Sequence, residues 1–187
     1  MIHVVLLYIY VLNALKGTIM KEITLRYISY NVWANERICG LIQLLSEEQA
    51  TRELGGSFKT LRQTLAHVYG AESIWLQRLQ LCEQVVLPET EGIPVAELCQ
   101  RWLKTSGDLL DYTRSVRDER GFEHVFHYHS LAGEFFKSAV WECLHHVCNH
   151  STFHRGQLIN YLRMLAVDKI PSTDFITYTR SSSYPKS

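Results

Sequence analysis

The chain of 187 residues is long enough for one domain with a sizeable core and short for two. Its 47% apolar and 20% charged residues are those of a globular protein, not a disordered one. Nineteen basic and nineteen acidic side chains cancel, and Lys and Arg are scattered, which argues against nucleic acid and against a membrane surface as partners.

Ile2 to Leu15 is apolar apart from His3 and Asn13, shorter than the roughly 20 residues of a membrane span. It lacks the basic start and small-residue cleavage site of a signal peptide. Met20 opens a well-patterned helix, so residues 1–19 are set apart as an N-terminal extension: an over-long start, a helical extension or an export signal. Residues 20–178 read as a single domain and 179–187 as a polar tail.

Four segments carry the helical period. In the first, Ile23, Tyr27, Tyr30, Ala34, Ile38, Leu41 and Leu45 form one stripe, which ends at Ser46–Gln49 and Gly55-Gly56. Ser57 is the expected N-cap of the second helix, with Leu61, Leu65, Val68, Trp75 and Leu79 inward. After a loop at 83–93, Pro94 suits the first turn of a third helix, whose stripe is Leu98, Trp102, Leu109, Tyr112 and Val116. Phe122 to Lys137 breaks the period, and its apolar residues flank Ser130-Leu131-Ala132-Gly133, which predicts a short hairpin or an extended excursion. The fourth and longest helix runs from about Ser138 to Ala166, with Val140, Leu144, Val147, Ser151, His154, Leu158, Tyr161 and Leu165 on one face. Four amphipathic helices without a sustained strand pattern predict an all-α four-helix bundle.

The five cysteines form no CxxC pair and fall in segments read as helical, where a free thiol packs as a small hydrophobe. Reduced thiols point to the cytosol.

Of nine histidines, seven lie between His124 and His154. Residues four apart on a helix share a face, so His146, His150 and His154 form a ladder. Two imidazoles at this spacing can converge on one metal, and a third ligand must then come from a facing helix. His67, beside Val68 and Ala71 on the second helix, has the right direction. The spacing alone leaves coordination and ordinary packing both open. Three neutral imidazoles buried together without partners would be costly, however, and a metal removes that penalty.

Three ordered motifs resemble those of the DinB/YfiT-like family. Tyr30-Asn31-Val32-Trp33-Ala34-Asn35-Glu36-Arg37 looks like its opening helix, and His67-Val68-Tyr69-Gly70-Ala71-Glu72-Ser73-Ile74-Trp75-Leu76 like its second motif. His150-Ser151-Thr152-Phe153-His154-Arg155-Gly156-Gln157 is similar to the third, and Pro171-Ser172-Thr173-Asp174-Phe175 to the tail. The likeness covers about Met20 to Tyr178. It implies a four-helix bundle, often a homodimer, whose divalent metal is held by His67, His150 and His154, and imidazole donors suit Zn or Ni. His146 then stands beside the ligands, and His124, His127, His129 and His145 match no ligand.

Three histidine ligands leave a coordination position open, the arrangement of a catalytic site. Glu72 is a candidate to orient a ligand imidazole or move a proton, with an interhelical salt bridge as its alternative. Asn35 and Arg155 are the other catalytic candidates, with a structural role as theirs. The resemblance implies a metal-dependent transferase joining a low-molecular-weight thiol to an electrophile, a metal-dependent hydrolase, or a stress-induced metal-binding protein without turnover.

Overall fold

The periodic segments fold as helices and the aromatic segment between them as a hairpin. The computed structural model describes residues 2–184, with the side chains of 2–18 and of Glu119 outside the description. Its elements are α1 (Ile2–Ile42), α2 (Glu47–Thr51), α3 (Leu61–Leu79), α4 (Val95–Ser115), α5 (Glu119–Glu123), β1 (Val125–His129), β2 (Phe135–Ala139), α6 (Val140–Met164) and α7 (Phe175–Thr179). Helix α1 continues without a break through residues 19 and 20. Among the described residues no helix is long and apolar enough to cross a membrane.

The four long helices form an up-down-down-up bundle with α1 diagonal to α3 and α4 diagonal to α6. Two apolar clusters show the directions. One gathers Ile38, Ile42, Leu61, Leu65, Leu98, Trp102, Leu158 and Leu162. The other gathers Ile28, Leu76, Leu79, Leu109, Leu144 and Val147. Helices α1 and α6 therefore run from the second cluster to the first, while α3 and α4 run the other way.

Because α3 and α4 are parallel, residues 80–94 must return the length of a helix. They do so along the outside of α3: Gln77 holds Val86 O (2.9 Å), and Arg62 holds Thr90 O (2.7 Å) and Ile93 O (2.5 Å). Between them Leu87 approaches Gly70, where a Cβ would stand 3.2 Å from the leucine methyl. Strands β1 and β2 pair antiparallel with Val125 opposite Ala139 and His129 opposite Phe135.

Several boundaries differ from the sequence reading. The N-cap of α3 is Thr60, not Ser57, because Thr60 and Gln63 form a reciprocal capping box. Ser46 and Gln49 do not simply end the first helix but cap α2 in the same way. Helix α6 begins at Val140 because Ser138 and Ala139 are still paired in β2. Cys82 lies after the end of α3 and is exposed, whereas the other four cysteines are buried. Ile23 is 52% exposed, while Thr24, Ile28, Asn31 and Asn35 are fully buried, so the buried stripe of α1 is rotated toward polar residues. Tyr184, within the expected polar tail, lies against Tyr178 and accepts a hydrogen bond from Arg26 (2.9 Å).

That rotation has a cause. Between the two apolar clusters lies a polar layer centred on Glu72, which is 1% exposed. Its Oε1 accepts from Asn31 (2.9 Å) and Asn35 (3.1 Å) of α1 and from Ser151 (2.7 Å) of α6. Its Oε2 accepts from Ser106 (2.5 Å) of α4. The two asparagine carbonyls in turn accept from Arg155 Nη1, at 2.5 Å for Asn31 and 2.7 Å for Asn35. Each amide thus points its donor at the carboxylate and its acceptor at the guanidinium, the orientation electrostatics favours.

Removing the carboxylate strands buried donors on three helices and leaves Arg155 without its compensating charge. Glu72→Ala is expected to lower stability by about 3–5 kcal/mol in urea denaturation. A loss below about 1 kcal/mol would show that this layer does not clamp the bundle.

Candidate metal centre

His67 comes from α3, and His150 and His154 come from successive turns of α6. Antiparallel packing of α3 on α6 brings the two sources together. One nitrogen from each residue lies within 4.8 Å of the others. His150 Nε2 stands 3.2 Å from His67 Nε2 and 3.1 Å from His154 Nε2. Two bonds of 2.0–2.1 Å at a tetrahedral angle place their nitrogens about 3.3–3.4 Å apart, so the spacing fits one Zn-sized ion. Hydrogen bonding fits it less well. In its plane His150 Nε2 offers one proton or one lone pair, and two other ring nitrogens face it.

The electrostatics favour neutral rings, the form in which imidazole binds a metal. Burial lowers the pKa of His67, and the nearby His154 adds to this. His150 is pushed down to about 4, first by burial and then by His154, His67 and His146. Burial also lowers His154, opposed by its hydrogen bond to Gln157. Gln157 Oε1 lies 2.7 Å from His154 Nδ1, so the amide accepts the Nδ1 proton and leaves Nε2 with its lone pair toward the triad.

The rings are supported by Phe58, whose centroid is 4.6 Å from that of His67 and 5.9 Å from that of His154. Phe58 follows Gly55 (φ +82°) and Gly56 (φ +93°). The Tyr161 hydroxyl on α6 ties this loop down by donating to Gly55 O (2.8 Å) and to Phe58 O. A Cβ at residue 56 would stand 3.0 Å from that hydroxyl, so both the backbone and the space call for glycine.

The remaining candidates lie elsewhere. Glu72, Asn35 and Arg155 hydrogen-bond within the polar layer, and none of these bonds reaches the three histidines. The salt bridge considered for Glu72 is replaced by amide bridges to Arg155. His146 stacks edge-on to Trp75 at 5.0 Å, with its ring 5.9 Å from that of His150. His145 bonds Thr24 at 3.1 Å, and His127 and His129 pack on Phe135 in the hairpin. Sequence reasoning assigned no role to Gln157 or Phe58. The i,i+3 spacing of His154 and Gln157 is a helical-neighbour signal, whereas Phe58 reaches the triad from a loop that no periodicity marks.

The model of the DinB family matches residues 20–186. The protein named Protein DinB of Bacillus subtilis (strain 168) is 27% identical over 168 residues, 85% of this chain and 95% of that relative. The crystal structure of a DinB-like protein from Bacillus cereus ATCC 10987 gives a TM-score of 0.57 at 17% identity. It covers 74% of this chain and 89% of that one, a likeness of fold. The chain belongs to the DinB family.

The loop anchor is open to test. Tyr161→Phe is expected to lower stability by about 1–2 kcal/mol. It should also speed hydrogen exchange of the Leu54 amide, which donates to Lys59 O across the loop (2.8 Å). Unchanged exchange there would show that packing alone holds Phe58 in place.

Proposed function

We propose that this member of the DinB family holds one divalent transition metal, Zn or Ni, through His67, His150 and His154 and uses it as an enzyme, joining a low-molecular-weight thiol to an electrophile. The observation that carries the reading is the convergence of three neutral imidazole Nε2 atoms from two helices. His67 and His150 are only half-buried, so the position facing them is reachable by a small molecule.

Bound there, the metal supplies Lewis acidity that acidifies a thiol or a water molecule. The chain does the rest. Gln157 sets the tautomer of His154, Phe58 shields the loop side of two rings, and the Glu72 layer holds α3 and α6 in register. In this reading Glu72, Asn35 and Arg155 position the ligands and do not touch substrate.

A thiol from solution suits the site better than the buried thiols of the chain. Burial, then Glu142, pushes the Cys143 thiol up to about 11. Cys148 is raised by burial and then by Glu72, and Cys39 by burial and then Cys99. Such thiols are poor nucleophiles. Five free cysteines also support a reducing compartment, the cytosol. A homodimer is supported by exposed Ile19 and Ile23 of α1 and Phe175 and Ile176 of α7, with Phe175 packed edge-on against Tyr27 and Tyr30.

Mass spectrometry of the purified protein is expected to find about one Zn or Ni per chain, lost in His150→Ala. Gln157→Ala should weaken metal affinity about 10–100-fold in competition with a chromophoric chelator. With a small thiol and monochlorobimane, the loaded protein should form the conjugate at a rate that falls to background in His150→Ala. Ester hydrolysis that needs no thiol would move the reading to a hydrolase. Retained metal with neither activity would leave a binding protein, and wild type that cannot take up metal would sink the reading.

A further inference from the structure

A cleft of about 410 Å³ lies beside the triad, between the loop 54–57 and the outer face of α6. It shares Gln157 with the candidate metal centre, so its contents lie one side chain away from His154. Its apolar walls include Leu54, Phe153 and Met164, and Phe153 is 65% exposed. Its polar groups, among them Asn160 and Tyr161, are all uncharged. The cleft between the hairpin and the end of α3 is of similar size, about 380 Å³, but is lined by Arg78, Glu83, His127 and His129.

A volume of this size suits a small molecule, not a segment of chain. Without a lining charge, an ionic ligand would lose hydration and gain no partner, whereas an apolar body with one hydrogen-bonding group loses little. Gly156 lines the cleft from α6, and a Cβ there would meet nothing within 4 Å, so only a larger side chain at this position would fill the space.

We propose that this cleft holds the body of a neutral small-molecule substrate, part apolar and part hydrogen-bonding, and that Gly156 is the position from which a large side chain would exclude it. The word substrate rests on the metal-dependent reading above; the binding site does not.

The probe is the neutral fluorophore N-phenylnaphthylamine, titrated into full-length wild type, Gly156→Ala and Gly156→Phe, with metal content measured alongside. Position 156 is exposed on a helix, so both variants should fold, and Ala improves helix propensity. Wild type and Gly156→Ala are expected to bind alike, and Gly156→Phe about tenfold more weakly or not at all at unchanged metal content. The sulfonated analogue of the same ring system should bind wild type more weakly than the neutral probe. The proposal is overturned if wild type does not bind, if Gly156→Phe binds as tightly, or if the sulfonate equals the neutral probe. Wild type that binds the probe but takes up no metal would defeat the metal reading and leave the cleft standing.

Discussion

One buried carboxylate sets the terms for the rest of this molecule. Glu72 cannot stay in an apolar interior unless its oxygens are fully hydrogen-bonded, and α1, α4 and α6 each supply donors to it. Satisfying it fixes the height of every long helix relative to α3. The triad inherits that register. His67 lies five residues before Glu72, and His150 and His154 adjoin Ser151 and Arg155, which belong to the layer. A slip of α6 along α3 would break the Ser151–Glu72 bond and separate the imidazoles at the same time.

The layer also contains its own counterweight. Arg155 is 1% exposed, an expensive place for a cation. Asn31 and Asn35 lie between it and Glu72 as oriented dipoles, so each ion is compensated without direct contact. Thr152 Oγ1 accepts from Arg155 Nη2 at 2.7 Å, and the Tyr30 ring lies 5.4 Å from the guanidinium. The apolar clusters on either side exclude water, which strengthens these interactions and makes any missing partner more costly. Helix α6 thus divides its work by face: Ser151 and Arg155 look into the bundle, His150 and His154 toward α3, and Phe153, Gly156 and Asn160 onto the cleft.

The four long helices, the hairpin and their order were legible because they depend on local pattern, whereas the five-residue helices α2, α5 and α7 are too short to carry a period. The α6 stripe reads correctly from Val140 to Tyr161, every residue named on it being buried. The hairpin follows from aromatic residues on either side of a turn segment, and the ladder of His146, His150 and His154 needs only a helix of 3.6 residues per turn. The α1 stripe reads correctly at Tyr30, Ala34 and Ile38, but Ile23 is exposed and the buried face also takes in Thr24, Asn31 and Asn35, whose polarity gives no hydrophobic signal. The first residue of α3 was misplaced because a lone Ser57 resembles a cap as well as Thr60 does; the box with Gln63 decides between them.

By itself the sequence determined the four long helices, the apolar face of α6 and that two histidines of α6 share a face. Hydrophobic period and side-chain spacing are properties of contiguous residues, and they survive without any partner. Only the tertiary structure decided that Glu72 and Ser151, 79 residues apart, are bonded. It likewise decided that His67 meets His150 across 83 residues, that Gln157 fixes a tautomer, and that a glycine loop brings Phe58 onto the rings. Period records that a residue faces inward; what a polar group finds there depends on the helix opposite, and no local spacing encodes that.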